Sequence, residues 1–534
     1  MCTATYIPSS RVLSRILTAL VIVSLFWDCK PKSQVQSAVL KDVWRLEQAQ
    51  INSFDPIDAY HAYHIQLTKQ LFNTLTDVDT TGKIVPSLAK DWHSDDGRQW
   101  LFDLREDVLF VDDSCFDGEE DRLFTAQDVK YTFERLLSKD SQSLGVSYFS
   151  CISGVSDYRN GSSDSIQGIE VVDNHTVSFL LTESNFNFPN LLSLPFCSIV
   201  KAKSVEAYDP KMKPVGTGPF QLETYLPDQR ISLVRNDDYW ERIQGEKVPY
   251  IKRVELLLTT DDNYSFLLLK NRKTDFVELN APLWKQYVTT RFRFKTEINS
   301  IESVQLNFFL FNLSNIQDAN VRKGISYAID RDRIQGLLGN EGVVTHSLYP
   351  EMFTDLHGDK EQLKTNGEKA RELLSSQKLR LKLVSFDDIL SRAIATRVKQ
   401  DLAAYDVFVD VESVPFPVLV DRLTSGDYDM IQMYWGMLYA DPDHFLSPFK
   451  AGSFPPEGNN YNMYSNDSFE EMTKAALIKD GNEQVSLYQS AEDVILEDMP
   501  FVLLYYKSVS LLSNTRYRLP VNPLLYKYYK YATR

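Results

Sequence analysis

Cysteine is scarce, with five in 534 residues. Cys2 and Cys29 lie near the amino end, followed by Cys115, Cys151 and Cys197. Three thiols cannot all pair within one chain, so the last three form at most one internal disulfide. No CxxC occurs, and no Cys/His spacing of the zinc-binding kind. Histidine is almost as sparse, with seven residues, and only His61 and His64 stand close together. Spacing i, i+3 on a helix could point both at one metal, but two ligands do not close a site. No metal is expected. Basic residues are outnumbered, 57 against 73 acidic, for a net charge of −16. Phosphate binding needs clustered Lys and Arg, so a nucleic-acid partner is excluded. GxSxG, HExxH and GxxxxGK[ST] are absent. Gly216-Thr217-Gly218-Pro219 is no phosphate cradle, because the proline removes a backbone donor. It reads as a tight turn into a strand over 220–225. Carboxylates are abundant, yet no pair is marked out as acid and base. Catalytic pairs can lie far apart in sequence, so these absences lower an enzyme reading without abolishing it; no catalytic residue is singled out and no cofactor is expected.

Long apolar runs are lacking too, with one exception. Arg11 and Arg15 precede a mostly apolar stretch over 16–27, too short to span a bilayer comfortably. Cys29 follows, then Lys30-Pro31-Lys32-Ser33-Gln34. The arrangement resembles a bacterial lipoprotein signal in which Cys29 is lipidated, although Phe26-Trp27-Asp28 replaces the usual small residues. Soluble export and an uncleaved anchor are the alternatives. Each places the folded part outside the cytoplasm, so a periplasmic, membrane-anchored protein is expected.

What remains is a large, ordinary globular composition. The length exceeds what one core supports, so two or three domains are expected. Aromatics are plentiful, with 28 Tyr and 30 Phe. The acidic stretch from Asp112 to Asp121 lacks EF-hand spacing and reads as a solvated loop. Thr125 and Asp128 form a capping box for a helix carrying Val129, Phe133, Leu136 and Leu137. Asp318 caps another, with Val321, Ile325, Ala328 and Ile329 on one face.

Residues 379–435 alternate strand and helix. Leu379, Leu381 and Leu383 have strand period; Ile394, Val398 and Leu402 have helical period. Val407, Val409 and Val411 form a second strand, residues 418–423 a second helix, and residues 428–435 a third strand. Such alternation implies parallel pairing with right-handed crossovers. Ligands bind beyond the carboxyl ends of such strands, which puts Trp435 near a cleft.

Short patterns in fixed order span most of the chain. Leu71-Phe72-Asn73-Thr74-Leu75 precedes Val85-Pro86-Ser87-Leu88-Ala89 and Trp92. Leu104-Arg105-Glu106-Asp107-Val108-Leu109-Phe110 and Thr125-Ala126-Gln127-Asp128-Val129 follow. Then come Gly216-Thr217-Gly218-Pro219-Phe220 and Asn236-Asp237-Asp238-Tyr239-Trp240. The helix opening at Val321 runs to Ile329-Asp330-Arg331, and Trp435 is followed by Asp441-Pro442 and Phe445-Leu446. From about residue 45 to 515 the chain resembles the family 5 extracellular solute-binding proteins, the peptide- and nickel-type receptors of ABC importers.

The resemblance implies an α/β, two-lobed periplasmic binding protein fold with an extra inserted domain and a cleft between the lobes. Residues 1–29 would be the signal-like segment and 30–42 a linker. Lobe I would comprise 43–70, 196–299 and 502–534, the inserted domain 71–195, and lobe II 300–501. The implied function is capture of oligopeptides and delivery to ABC permease subunits in the membrane, by a monomer. The ligand would be held largely by backbone hydrogen bonds, as an added strand. Two segments would contact it: Tyr60-His61-Ala62-Tyr63, after Asp55-Pro56, and Tyr434-Trp435-Gly436.

Two positions depart from the family's peptide receptors. Leu438 stands where they carry an aspartate that receives the ligand ammonium. Gln432 stands where some carry arginine. Asp441 or Asp443 could supply the missing carboxylate. Otherwise the ligand is a blocked peptide, another small solute, or a metal chelate dependent on His61, His64 or His444. A secreted hydrolase and a protein-binding module are the remaining classes.

Overall fold

The computed structural model of the chain describes residues 39–45, 51–59, 61–375, 378–455 and 458–534. Cys2, Cys29, the apolar stretch before Cys29, and Tyr60 lie outside the described residues. No described helix is long and apolar enough to cross a membrane.

The period-2 and period-3.6 segments of residues 379–435 become the elements their spacing implies. Leu379–Phe386 pairs in parallel with Val407–Val414 on one side and Met430–Trp435 on the other. Helices Ile389–Ala403 and Phe416–Ser425 make the crossovers. Asp388 caps the first by accepting Ser391 N at 2.9 Å, and Ile394, Val398 and Leu402 face the core.

These strands belong to an eleven-stranded sheet. Two long strands, Glu297–Phe311 and Phe501–Ser513, run through its middle, antiparallel to each other. On one side of them stand the three parallel strands above. On the other stand Phe276–Leu279, Val39–Arg45, Arg253–Thr259, Arg230–Arg235 and Phe220–Leu226. The crossing strands keep register over 297–302 against 508–513, slip, resume with Leu306 opposite Tyr506, and shift once more between Asn307 and Phe308. The slip is a bulge at 303–305. Ser303 Oγ donates to Lys507 O at 2.8 Å, and Val304 N donates to Pro523 O at 3.1 Å.

The expected linker over 30–42 gives way at Val39 to a strand parallel to Arg253–Thr259. Val39 and Leu40 end the polar run, and Leu40 is fully buried. Apolar burial therefore starts earlier than the polar composition suggests.

Residues 89–180 build a separate four-stranded antiparallel sheet from Ala89–His93, Gln99–Leu104, Thr176–Leu180 and Ile169–Asp173. The Ala126–Leu136 helix packs with it, opened by the expected Thr125/Asp128 box. The first pattern meets the Gly216 pattern directly. Gly218 N donates to Leu71 O at 3.0 Å, and Thr217 Oγ1 donates to Asn73 Oδ1 at 3.2 Å. A Cβ on Gly218 would sit 2.3 Å from Leu71 C and 2.6 Å from Phe72 N. Only glycine lets these backbones approach so closely. The turn then enters a strand at Phe220, as its sequence implies.

Asp318 caps the helix Ala319–Ala328, and Val321, Ile325 and Ala328 are buried. Ile329 is buried one step beyond the helix end. The charged members of that pattern also turn inward. Arg322 Nε donates to Met499 O at 3.0 Å, and Arg331 Nη1 to Ser326 O at 2.8 Å. In the acidic loop, Lys203 Nζ lies 2.5 Å from both Asp117 and Asp121, and Lys213 pairs with Asp113 at 2.8 Å. Among the described residues, Cys115, Cys151 and Cys197 form no disulfide. Burial pushes the thiols of Cys115 and Cys151 up to about 11.

Candidate functional site

Because Leu379–Phe386, Val407–Val414 and Met430–Trp435 are parallel, their carboxyl ends share one edge of the sheet. Phe386 is level with Val414, and Trp435 pairs with Leu306 just past the bulge of the crossing strand. Tyr434 pairs with Asn307 and is exposed. Trp435 is half-buried, and its Nε1–H is buried without a hydrogen-bond partner among the described residues. Gly436 faces the bulge, where an added Cβ would lie 3.8 Å from Gln305 Cα. That is ordinary contact, so sterics do not require glycine here.

The Trp435 ring sits 5.5 Å from His444. His444 in turn lies 4.9 Å from Tyr439 and 5.9 Å from Tyr148, which belongs to the 71–195 portion. Burial, helped by Lys450, lowers the His444 imidazole to about 4, so it is neutral at pH 7. Asp443 is taken by Lys450 at 2.5 Å. Asp441 is buried and caps the short helix Pro442–Leu446. Its Oδ1 accepts Asp443 N at 2.8 Å and Asn187 Nδ2 at 2.8 Å. Asn187 also reaches Tyr488 Oη at 3.0 Å and accepts from Gln484 Nε2 at 3.1 Å. Asp441 is thus embedded in a polar network between the 71–195 portion and residues 484–488. Burial, and then the charge of Asp443, push its carboxyl up to about 8.

Gln432 is buried and committed to the protein. Its Nε2 donates to Ser391 Oγ at 3.1 Å, and its Oε1 accepts Phe386 N at 3.4 Å. It shapes the sheet edge rather than offering a free donor. Leu438 is half-buried against a cluster of Ala59, Ile65, Tyr526 and Tyr528. Its carbonyl accepts from Tyr526 Oη at 2.8 Å.

The amino-terminal segment begins with Asp55, which caps Pro56–Asp58 and meets the Arg135 guanidinium at both nitrogens. His61 occupies the N-cap position of the helix Ala62–Leu71, with no side-chain capping bond to its first turn. His61 and Ala62 are exposed, and Tyr63 is half-buried. The His61 ring stacks on Tyr63 at 5.4 Å, and Tyr63 lies 4.9 Å from His64. His64 Nδ1 is 3.1 Å from Asp58 O, and burial lowers its imidazole pKa. Leu438 connects the two segments, because Ala59 and Ile65 flank residues 61–63 and both belong to the cluster it packs against. Sequence reasoning did not single out Arg135 or Asn187. A lone Arg or Asn among many carries no local signal.

The model of the bacterial extracellular solute-binding proteins, family 5 (Middle), matches residues 83–455. The dipeptide-binding protein of Escherichia coli (strain K12) is 27% identical over 468 residues, covering 82% of this chain and 84% of that protein. The unliganded open form of MppA, a periplasmic murein tripeptide-binding protein, superposes with a TM-score of 0.79 at 21% identity, over 93% of this chain and 97% of that one. The periplasmic binding protein DppA from Helicobacter pylori, in complex with the peptide STSA, gives 0.69 at 22% identity, over 93% and 99%. The fold is the two-lobed one of these proteins.

Proposed function

The chain belongs to the bacterial extracellular solute-binding proteins of family 5, and on that premise we propose that it captures short peptides between two lobes and hands them to an ABC permease. It acts as a receptor, not a catalyst. The crossing strands carry this reading. Glu297–Phe311 and Phe501–Ser513 run through both halves of the sheet and slip register at 303–305. A bulge there supplies a place where the halves can rotate without breaking either strand. The lobes lie on either side of it, with residues 71–195 as the inserted domain. We assign ligand contact to Tyr60, His61, Ala62 and Tyr63 on one side, and to Tyr434, Trp435, Gly436 and Leu438 on the other. Trp435 Nε1 is a buried donor with no partner among the described residues, and Asp441 follows in the same segment. Relatives that bind dipeptides and tripeptides support a peptide ligand. Cys29 is the proposed lipid anchor, which would hold a monomer at the outer face of a membrane.

Leu438 favours a second reading. It puts an apolar side chain, packed on Ala59 and Tyr526, where a carboxylate would hold an ammonium. A blocked peptide or uncharged solute fits that surface better. Native mass spectrometry of the purified chain, followed by denaturation, separates the two. A ladder of short peptides supports peptide capture. A single non-peptide mass sinks it. Small-angle scattering with the released ligand should show a smaller radius of gyration, and an unchanged radius would remove lobe closure.

A further inference from the structure

The sheet edge that ends in Trp435 also carries a row of aromatic rings. Phe416 stacks on Phe386 with centroids 6.3 Å apart and planes 15° apart, and Phe386 lies 5.7 Å from Tyr434. Phe416 is 56% exposed and Tyr434 45%, and Ile389, first in its helix, is 79% exposed. Leaving such side chains partly in water forgoes the free energy that their burial would release. Single exposed apolar residues are ordinary, but a contiguous row at a ligand-binding edge is not.

The row is built and held. Gln432 receives Phe386 N and donates to Ser391 Oγ, so a buried amide fixes the end of one strand and the first turn of the next helix. Charges around it are taken by partners. Arg392 pairs with Asp387 at 2.5 Å, and Asp388 caps its own helix through Ser391 N. These contacts occupy the Asp387, Asp388 and Arg392 side chains, which follow Phe386 in the chain.

We propose that Phe386, Phe416 and Tyr434, with Ile389, form an apolar subsite that selects ligands bearing an aromatic or large aliphatic side chain. The proposal rests on the peptide-capture reading. Its occupant follows from continuity, because Tyr434 belongs both to the row and to the backbone-contacting segment 434–436. An extended ligand alongside that segment projects alternate side chains to one face about 7 Å apart. The three rings, with neighbouring centroids 5.7 and 6.3 Å apart, form one surface against which such a side chain can pack. Offset ring packing gives aromatic side chains the advantage.

The test compares tetra-alanine with its four single-phenylalanine versions by calorimetry, on the purified chain and on Phe416→Ala and Phe386→Leu. At least one phenylalanine peptide should bind the unaltered chain about tenfold more tightly than tetra-alanine. Both substitutions should cut that preference to about threefold or less, while tetra-alanine affinity stays within about twofold. Phe416 is mostly exposed, so its loss leaves the core intact, and Phe386→Leu keeps an apolar residue at the strand end. If tetra-alanine binds but the preference is absent, or survives both substitutions, the subsite is overturned and peptide capture stands. If none of the peptides binds the unaltered chain, the peptide reading fails and the subsite with it.

Discussion

Arg135 and Asp55 meet as a two-point ion pair, guanidinium against carboxylate, with the Asp55 side chain 1% exposed and Arg135 19%. Arg135 comes from the helix Ala126–Leu136, and Asp55 opens the turn that leads to residues 61–63. One contact thus ties the 71–195 portion to the segment for which ligand contact is proposed. Removing one partner strands the other in a buried place. Arg135→Ala should cost about 2–3 kcal/mol in chemical denaturation, reduced from the fully buried case because Arg135 is partly solvated. Arg135→Lys keeps the charge but loses the fork, and should cost less. Equal losses in both variants would mean that the two-point geometry, not charge placement, is what counts, and a cost-free Arg135→Lys would mean the reverse.

Gly218 should tolerate no side chain. Its Cβ would lie within 2.6 Å of the backbone of Leu71 and Phe72, and backbone cannot rotate aside. Gly218→Ala should destabilise by about 3 kcal/mol or more. Gly436→Ala, by contrast, meets Gln305 at normal contact distance and should change stability by less than about 1 kcal/mol. A similar melting temperature for both variants would refute the close approach at Leu71.

The contrast between those glycines shows what the sequence makes legible. The strands and helices of residues 379–435 were readable because their apolar periods are local, and Trp435 could be placed at a strand end from that pattern alone. The Thr125/Asp128 box was readable for the same reason. The Arg135–Asp55 pair joins residues 80 apart, and the Asn187–Asp441 bond joins residues 254 apart. Nothing in a local window marks one arginine or asparagine among many. The crossing strands likewise pair Glu297 with Ser513, far apart in the chain, so their bulge was invisible, as was the strand beginning at Val39. The row of Phe386, Phe416 and Tyr434 escaped because exposure, not identity, makes it notable.

Leu438 tests which side of the loop faces ligand. Its side chain packs on Ala59, Ile65, Tyr526 and Tyr528. Leu438→Asp puts a carboxylate into that cluster and should cost about 2–3 kcal/mol at pH 7. Leu438→Ala should cost about 1–2 kcal/mol, since the residue is only half-buried. A stable Leu438→Asp protein that binds free-amino peptides about tenfold more tightly than their N-acetylated forms would instead place this side chain in the ligand space.

Asp441 and His444 make opposite contributions to pH dependence. The Asp441 carboxyl is raised from 3.8 to about 8, so the folded state holds a proton that the unfolded chain releases. Its contribution is fully present below about 4 and is lost as pH rises towards 8. The His444 imidazole is lowered from 6.5 to about 4, so unfolding takes up a proton. Its contribution is present above 6.5 and is lost as pH falls towards 4. The two slopes oppose each other between pH 4 and 6.5. From 6.5 to 8 Asp441 acts alone, at about 1.4 kcal/mol per pH unit. Asp441→Asn keeps an oxygen acceptor for Asn187 and Asp443 N but cannot titrate. Relative to this variant, the unaltered chain should lose about 2 kcal/mol between pH 6.5 and 8. Urea denaturation across that range measures it. Parallel curves for the two proteins would mean that Asp441 is ionised in the folded chain, balanced by a cation near its network with Asn187.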